Sequence, residues 1–215
     1  MVELGDRIDI ALNLKVRALC LAVERAAIAG IQEAVPTYRS LAIYYDPLTI
    51  DRESLEDQIQ ALQGSEGSEE DHRPQVVEIP TVYGGEYGPD LGFVASYASL
   101  SHGEVVRLHT EPLYHVCMLG FTPGFAYLGG LPERLSVPRL ATPRLTVPAG
   151  SVGVAGKQTG VYALDSPGGW RIIGRTYVRL FDASRQVPTP ILPGDKVRFL
   201  RIGEQEYQKR ARGSP

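Results

Sequence analysis

Cysteine is scarce in this chain, 2 residues in 215, so no disulfide framework of the kind that holds small secreted domains together is available. Cys20 and Cys117 are each expected to pack as small buried apolar residues. A nucleophilic thiol needs an electropositive, partly exposed setting, and His115, two residues before Cys117, comes without an orienting third group. Positive charge is also short: 22 Lys and Arg stand against 25 Asp and Glu, a net charge of −3. No global field therefore draws in a phosphate backbone, and no nucleic-acid partner is expected. Long apolar runs are missing, and Met1 to Ile10 has no basic stretch leading into an apolar core, so neither a membrane span nor a leader is expected and the chain reads as cytoplasmic. His72, His102, His109 and His115 have neither the i,i+4 spacing nor the cysteine partners of a zinc site, which leaves no metal centre to expect. What is present, 43% hydrophobic and 22% charged residues, is the composition of a chain that folds.

Glycine and proline are spread unevenly, with 7 in residues 1–78 and 32 in residues 79–215. The poorer part reads as a small α/β domain. Leu12, Val16, Leu19, Val23 and Ala26 recur at helical spacing, with Asp9 as cap and Gly30 as stop; Ile31–Val35 and Ser40–Tyr45 read as strands. A second helix follows Asp51 with Leu55, Ile59 and Leu62 on one side, then an acidic linker at 64–74, and Val76, Val77 and Ile79 open a last strand. In residues 79–202 short apolar runs alternate with turn signals: His115–Phe121, Val152–Ala155, Val161–Leu164, Arg171–Ile173, Val178–Phe181 and Lys196–Ile202, with one helix near Leu91–Leu100. That pattern suits a closed β-barrel or a sandwich, since closure removes exposed strand edges. The polar tail 203–215 is expected to fray.

Several stretches carry chemistry. Gly156-Lys157-Gln158-Thr159 is not a phosphate-binding P-loop, because Ser151 stands where the first glycine belongs and no helix follows; Lys157 remains available as a point charge. Ser151, one residue off a nucleophile elbow, and Ser166 in Ser166-Pro167-Gly168-Gly169-Trp170 both read as turn residues. Glu86 and Asp90 lie in a glycine-rich loop where a carboxylate serves equally as a general base, a magnesium ligand or, for Asp90, a helix cap. Arg139 and Arg144 each follow a proline and suit a carboxylate or phosphate. His109 reads as a loop residue between helix and strand, the one histidine placed to move a proton.

Taken together, Leu119 to Leu131, Val147 to Gly156, Gln158-Thr159-Gly160, Ser166 to Trp170 and Gly174-Arg175-Thr176 resemble the family that includes the B component of 5-oxoprolinase, the sporulation-kinase inhibitor KipI and the first component of allophanate hydrolase. The likeness extends to Tyr83–Leu91, Tyr45-Asp46-Pro47 and Pro193-Gly194-Asp195. It implies an α+β chain in which a small N-terminal α/β domain precedes a cyclophilin-like β-barrel, without implying prolyl isomerase activity. It also implies a hetero-oligomer with the A and C components of 5-oxoprolinase that opens 5-oxo-L-proline to L-glutamate with ATP, carried with magnesium in the assembled complex, and an isolated chain that is inactive. The B and C components would phosphorylate the lactam oxygen, and water would attack after transfer to the A component. Family members usually open with a further segment, so the first strand here, at Val2-Glu3-Leu4, is expected to be clipped and to leave a sheet edge. At the matching positions Glu86, Asp90 and His109 are the expected catalytic groups, Arg139, Arg144 and Lys157 the expected clamps on phosphate or carboxylate, and Gln158 and Thr159 the expected orienting donors. Two other activities occur in the family. One is inhibition of a sensor histidine kinase through an apolar patch of Phe121, Phe125 and Tyr127; the other is an allophanate hydrolase or urea carboxyltransferase role.

Overall fold

The structure, a computed structural model, describes residues 1–7, 9–63 and 74–213, which form two compact units, Met1–Pro74 and Gln75–Pro215. The acidic linker lies almost wholly outside the described residues.

In the first unit the stripe on α1 (Ile10–Ala26) and the buried side of α2 (Arg52–Leu62) meet Leu41 of a three-stranded antiparallel sheet in one core of Val16, Leu19, Cys20, Val23, Leu55 and Ile59. The sheet runs β1 (Val2–Glu3), β3 (Ser40–Tyr45), β2 (Ile31–Pro36). Asp9 caps α1 by accepting from the Leu12 amide at 3.0 Å, and Asp51 caps α2 by accepting from the Ser54 amide at 2.9 Å. The helix stop is a correction: α1 ends because Ala27 takes the left-handed conformation, φ 45°, whereas Gly30, φ 95°, opens the turn into β2.

A second correction concerns Val76–Tyr83, strand β4. It belongs to the barrel and not to the α/β layer, pairing in parallel with β12 (Lys196–Arg201) and antiparallel with β11 (Arg171–Thr176). The closed barrel runs β11, β4, β12, β5 (Tyr114–Leu119), β6 (Ala126–Gly129), β9 (Gln158–Val161), β8 (Ser151–Ala155), and β8 returns to β11. Its interior holds Ile79, Val116, Leu128, Val152, Val154, Val161, Ile173, Val197 and Phe199, joined by residues of two helices, α3 (Leu91–Ala98) and α4 (His102–Thr110). Only one helix was expected here. The sign of α4 was the capping box, in which the Ser101 hydroxyl accepts from the Glu104 amide and the Glu104 carboxylate accepts from the Ser101 amide. Val178–Phe181 forms no strand.

The outer wall of β8 and β11 is covered as well. A two-stranded ribbon of β7 (Arg144–Val147) and β10 (Ser166–Gly168) brings Val147 to a second core with Phe125, Ala155, Tyr162, Trp170 and Ile172. Thus Ser166 lies in a short strand, not a turn. With both faces packed, all five residues of β8 are buried, the condition that turns an alternating strand into a continuous apolar run. The described part of the tail is helical and does not fray: α5 (Glu204–Gly213) packs Tyr207 against Tyr87, ring centroids 4.8 Å apart, and against Tyr177 at 6.4 Å.

Candidate functional site

The residues expected to do chemistry separate into a sealed group and an open one. His109 is not in a loop; it sits on α4 with no solvent exposure. Thr159 Oγ1, equally buried, donates to the Gly153 carbonyl at 2.9 Å, so its oxygen accepts from His109 Nε2–H at 2.9 Å, and His109 Nδ1 accepts from the Tyr83 hydroxyl at 2.8 Å. The ring lies against Phe199, centroids 4.5 Å apart, and Tyr114. Burial pushes the imidazole down to about 3, because charging it would desolvate a cation with no acid to pair it. At neutral pH His109 is a neutral link tying helix α4 to strands β4 and β9, and Thr159 orients that link instead of a ligand. The same physics disposes of the thiols: burial raises Cys20 to about 12 and Cys117 to about 11, so both stay protonated.

Asp90 is 7% exposed and does not cap α3 with its side chain. Its carboxylate accepts from the Ile172 amide at 2.7 Å and from Arg144 at 3.0 Å, with Arg171 at 3.9 Å. Arg171 in turn lies 3.5 Å above the Phe93 ring. Asp90 is therefore an anchor between loop and barrel wall, and Arg144 is committed to it while also donating to the Trp170 carbonyl at 3.4 Å. Lys157 occupies the tip of the β8–β9 hairpin, where it pairs with Glu133 at 3.2 Å with both side chains largely in solvent, an arrangement worth little. Gln158 follows it, half-buried, and Glu86 is exposed. Neither lines a cavity with Arg139.

Arg139 does line one. A cavity of about 260 Å³ opens between Phe121, Phe125, Tyr127, Tyr162 and Trp170 with Arg139 at its side. The rings meet edge to face: Phe125 lies 4.7 Å from Tyr127 at 60°, 5.1 Å from Tyr162 at 84° and 5.5 Å from Trp170 at 85°, the geometry ring quadrupoles favour. Trp170 is seated because two strands lack side chains beneath it. A Cβ on Gly153 would come within 3.1 Å of Trp170, and one on Gly160 within 2.7 Å of the Ala126 carbonyl and 3.2 Å of the indole. Arg139 sits 6.0 Å from the Trp170 ring and has no acidic partner among the described residues. Its charge is felt by the Tyr127 and Tyr162 hydroxyls, though burial outweighs it and both phenols titrate above their usual range. Phe121, 60% exposed and held at φ 65°, stands at the rim; a bulky residue in that region stores strain of the kind found at ligand sites. Arg139 was legible as a loop cation, but Trp170 and Tyr162 went unassigned although Trp170 is the chain's single tryptophan. The apolar patch Phe121, Phe125, Tyr127 is not a surface: Phe125 is buried and Tyr127 half-buried.

The model of the carboxyltransferase domain, subdomain C and D, matches residues 1–191. The chain belongs to this family. Among its relatives, the B component of 5-oxoprolinase from Bacillus subtilis (strain 168) is 39% identical over 217 residues, 96% of this chain and 90% of the relative. The protein of the same name from Escherichia coli O157:H7 is 47% identical over 172 residues, 80% of this chain and 78% of the relative. The solved structure of TTHA0988 superposes with a TM-score of 0.82 at 41% identity, covering 94% of this chain but only 39% of that one. No helix among the described residues is long and apolar enough to cross a membrane, and no group of three or more His, Cys, Asp or Glu among them is placed to hold a metal ion.

Proposed function

We propose that this chain is the B component of an ATP-dependent 5-oxoprolinase and works in the cytoplasm with the A and C components to open 5-oxo-L-proline to L-glutamate, with no turnover by the chain alone. The observation that carries the reading is the likeness, along most of its length and at 39% and 47% identity, to two proteins of that name. The site is compatible with it: the reaction needs a small anionic ring held still while its amide oxygen is activated, and the cavity offers aromatic walls with one guanidinium that has no acidic partner among the described residues. ATP with its magnesium is a second substrate of the assembled complex. Within this chain Arg139 is the clamp at the cavity, Asp90 and Arg144 hold the wall behind it, and His109 with Thr159 keep the barrel in register beneath. Glu86, Lys157 and Gln158 stand away from the cavity, free to face another component of the complex.

The test is co-expression of the chain with the A and C components, following 5-oxoproline-dependent release of phosphate and glutamate as each component is omitted. Both products are expected only with all three present. A folded, associated set of three chains that releases no glutamate would overturn the reading and make binding to a sensor kinase the next assay.

A further inference from the structure

We propose that the cavity beside Trp170 is the site for the lactam acid, and not for the nucleotide: it takes a single small ring bearing one carboxylate, with the ring against the aromatic walls and the carboxylate on Arg139. The naming of 5-oxo-L-proline as that ligand rests on the reading above; the chemical class rests on the cavity.

Size comes first. At about 260 Å³ the cavity falls just below the range of about 300–1,000 Å³ that accommodates drug-sized molecules, so it matches one small ring and encloses too little volume for a base, a sugar and three phosphates together. Its walls come next. Phe125 packs at steep angles on Tyr127, Tyr162 and Trp170, and these rings with Phe121 line the cavity, a rigid aromatic wall against which a flat ring can lie. The charge is singular: of the three cations expected as clamps, Arg144 is bound to Asp90 at 3.0 Å and Lys157 to Glu133 at 3.2 Å, which leaves the planar fork of Arg139 as the one cationic side chain in the lining. A guanidinium of this kind matches a carboxylate with two parallel hydrogen bonds, whereas a triphosphate calls for several cations. Finally, the box is built at a cost: Phe121 is held at φ 65° on its rim, edge-on to Phe125 and Tyr162.

Trp170 is the only tryptophan, so its fluorescence reports on this cavity alone. Titrating the full chain with 5-oxo-L-proline is expected to give a saturable change in emission; 2-pyrrolidinone, which lacks the carboxylate, at least tenfold weaker binding; and ATP no change. Arg139→Gln is expected to weaken the acid at least tenfold without altering the response to 2-pyrrolidinone, and Arg139→Lys to recover part of the loss. In the assembled complex the same Arg139→Gln change is expected to raise KM for 5-oxo-L-proline about tenfold and leave KM for ATP unchanged. A rise in KM for ATP instead, or an active complex in which neither the titration nor KM moves, would overturn the cavity proposal while leaving the function standing. An inactive complex whose chain still binds the acid through Arg139 would do the reverse, and loss of both signals rejects both.

Discussion

Two clusters on opposite sides of the same barrel wall, each built on glycine-bearing strands, are different objects. The Tyr83, His109, Thr159 and Gly153 chain lies inside the barrel, every member hydrogen-bonded to the next and the imidazole held neutral by burial. The Trp170 cluster lies outside β8 and β11, with Phe125, Tyr162 and Trp170 buried, Phe121 open at the rim, and beside them a cation with no acidic partner among the described residues. A residue type suited to proton transfer becomes structural once solvent and ligand are excluded, and a hydrophobic cluster becomes a site where its packing stops short of closing.

Emptying the open cluster is the strongest way to test that contrast. Trp170→Ala is expected to cost about 3–5 kcal/mol in urea unfolding, as large buried aromatics do, and to abolish ligand binding. If stability survives, Trp170 is a rim residue and not the floor of a second core. The sealed cluster should be nearly as sensitive. His109→Ala should cost about 2–4 kcal/mol by leaving a hole and breaking its hydrogen bonds with Tyr83 and Thr159.

The same histidine also gives the contrast a pH signature. In the folded chain His109 titrates at about 3, below its ordinary 6.5, so between those values the unfolded state binds the extra proton. Its contribution is fully present above pH 6.5 and is lost as pH falls toward 3, by about 1.4 kcal/mol per pH unit. Unfolding curves from pH 7 to pH 4 should therefore be less steeply pH-dependent in His109→Gln than in the parent chain. Equal slopes would mean that solvent reaches the ring.

Asp90→Ala is expected to cost about 1–3 kcal/mol, read from the denaturation midpoint, since it unpairs the buried Ile172 amide and releases Arg144. Retained stability there would point to a catalytic carboxylate and not an anchor. Smallest of all, Lys157→Ala should change neither midpoint nor turnover; a clear loss of turnover in the complex would place the β8–β9 hairpin in the active site.

Where the sequence was readable, one physical signal dominated. Asp9 and Asp51 cap their helices because each side chain bonds an amide three residues on, a rule local enough to read from spacing. The stripe from Leu12 to Ala26 and the glycine-rich strands of the barrel were legible for similar reasons. The α5 helix was not, because its ten residues are nearly all polar and it is held by Tyr207 stacking on residues far away in sequence. Nor was the placement of Val76–Tyr83: its apolar pattern fits either unit, and only pairing with Lys196–Arg201 assigns it.

The chain by itself determined two folding units, the helices of the first, the many-stranded character of the second and, through its ordered motifs, the family. These follow from periodicity, capping and turn chemistry within a few residues. Only the tertiary structure decided that Asp90 meets Ile172 and Arg144, that His109 is sealed beneath β9, and that Gly153 and Gly160 leave room for Trp170 beside Arg139. Solvent access and charge pairing depend on residues tens of positions apart, and they become fixed only when the barrel closes.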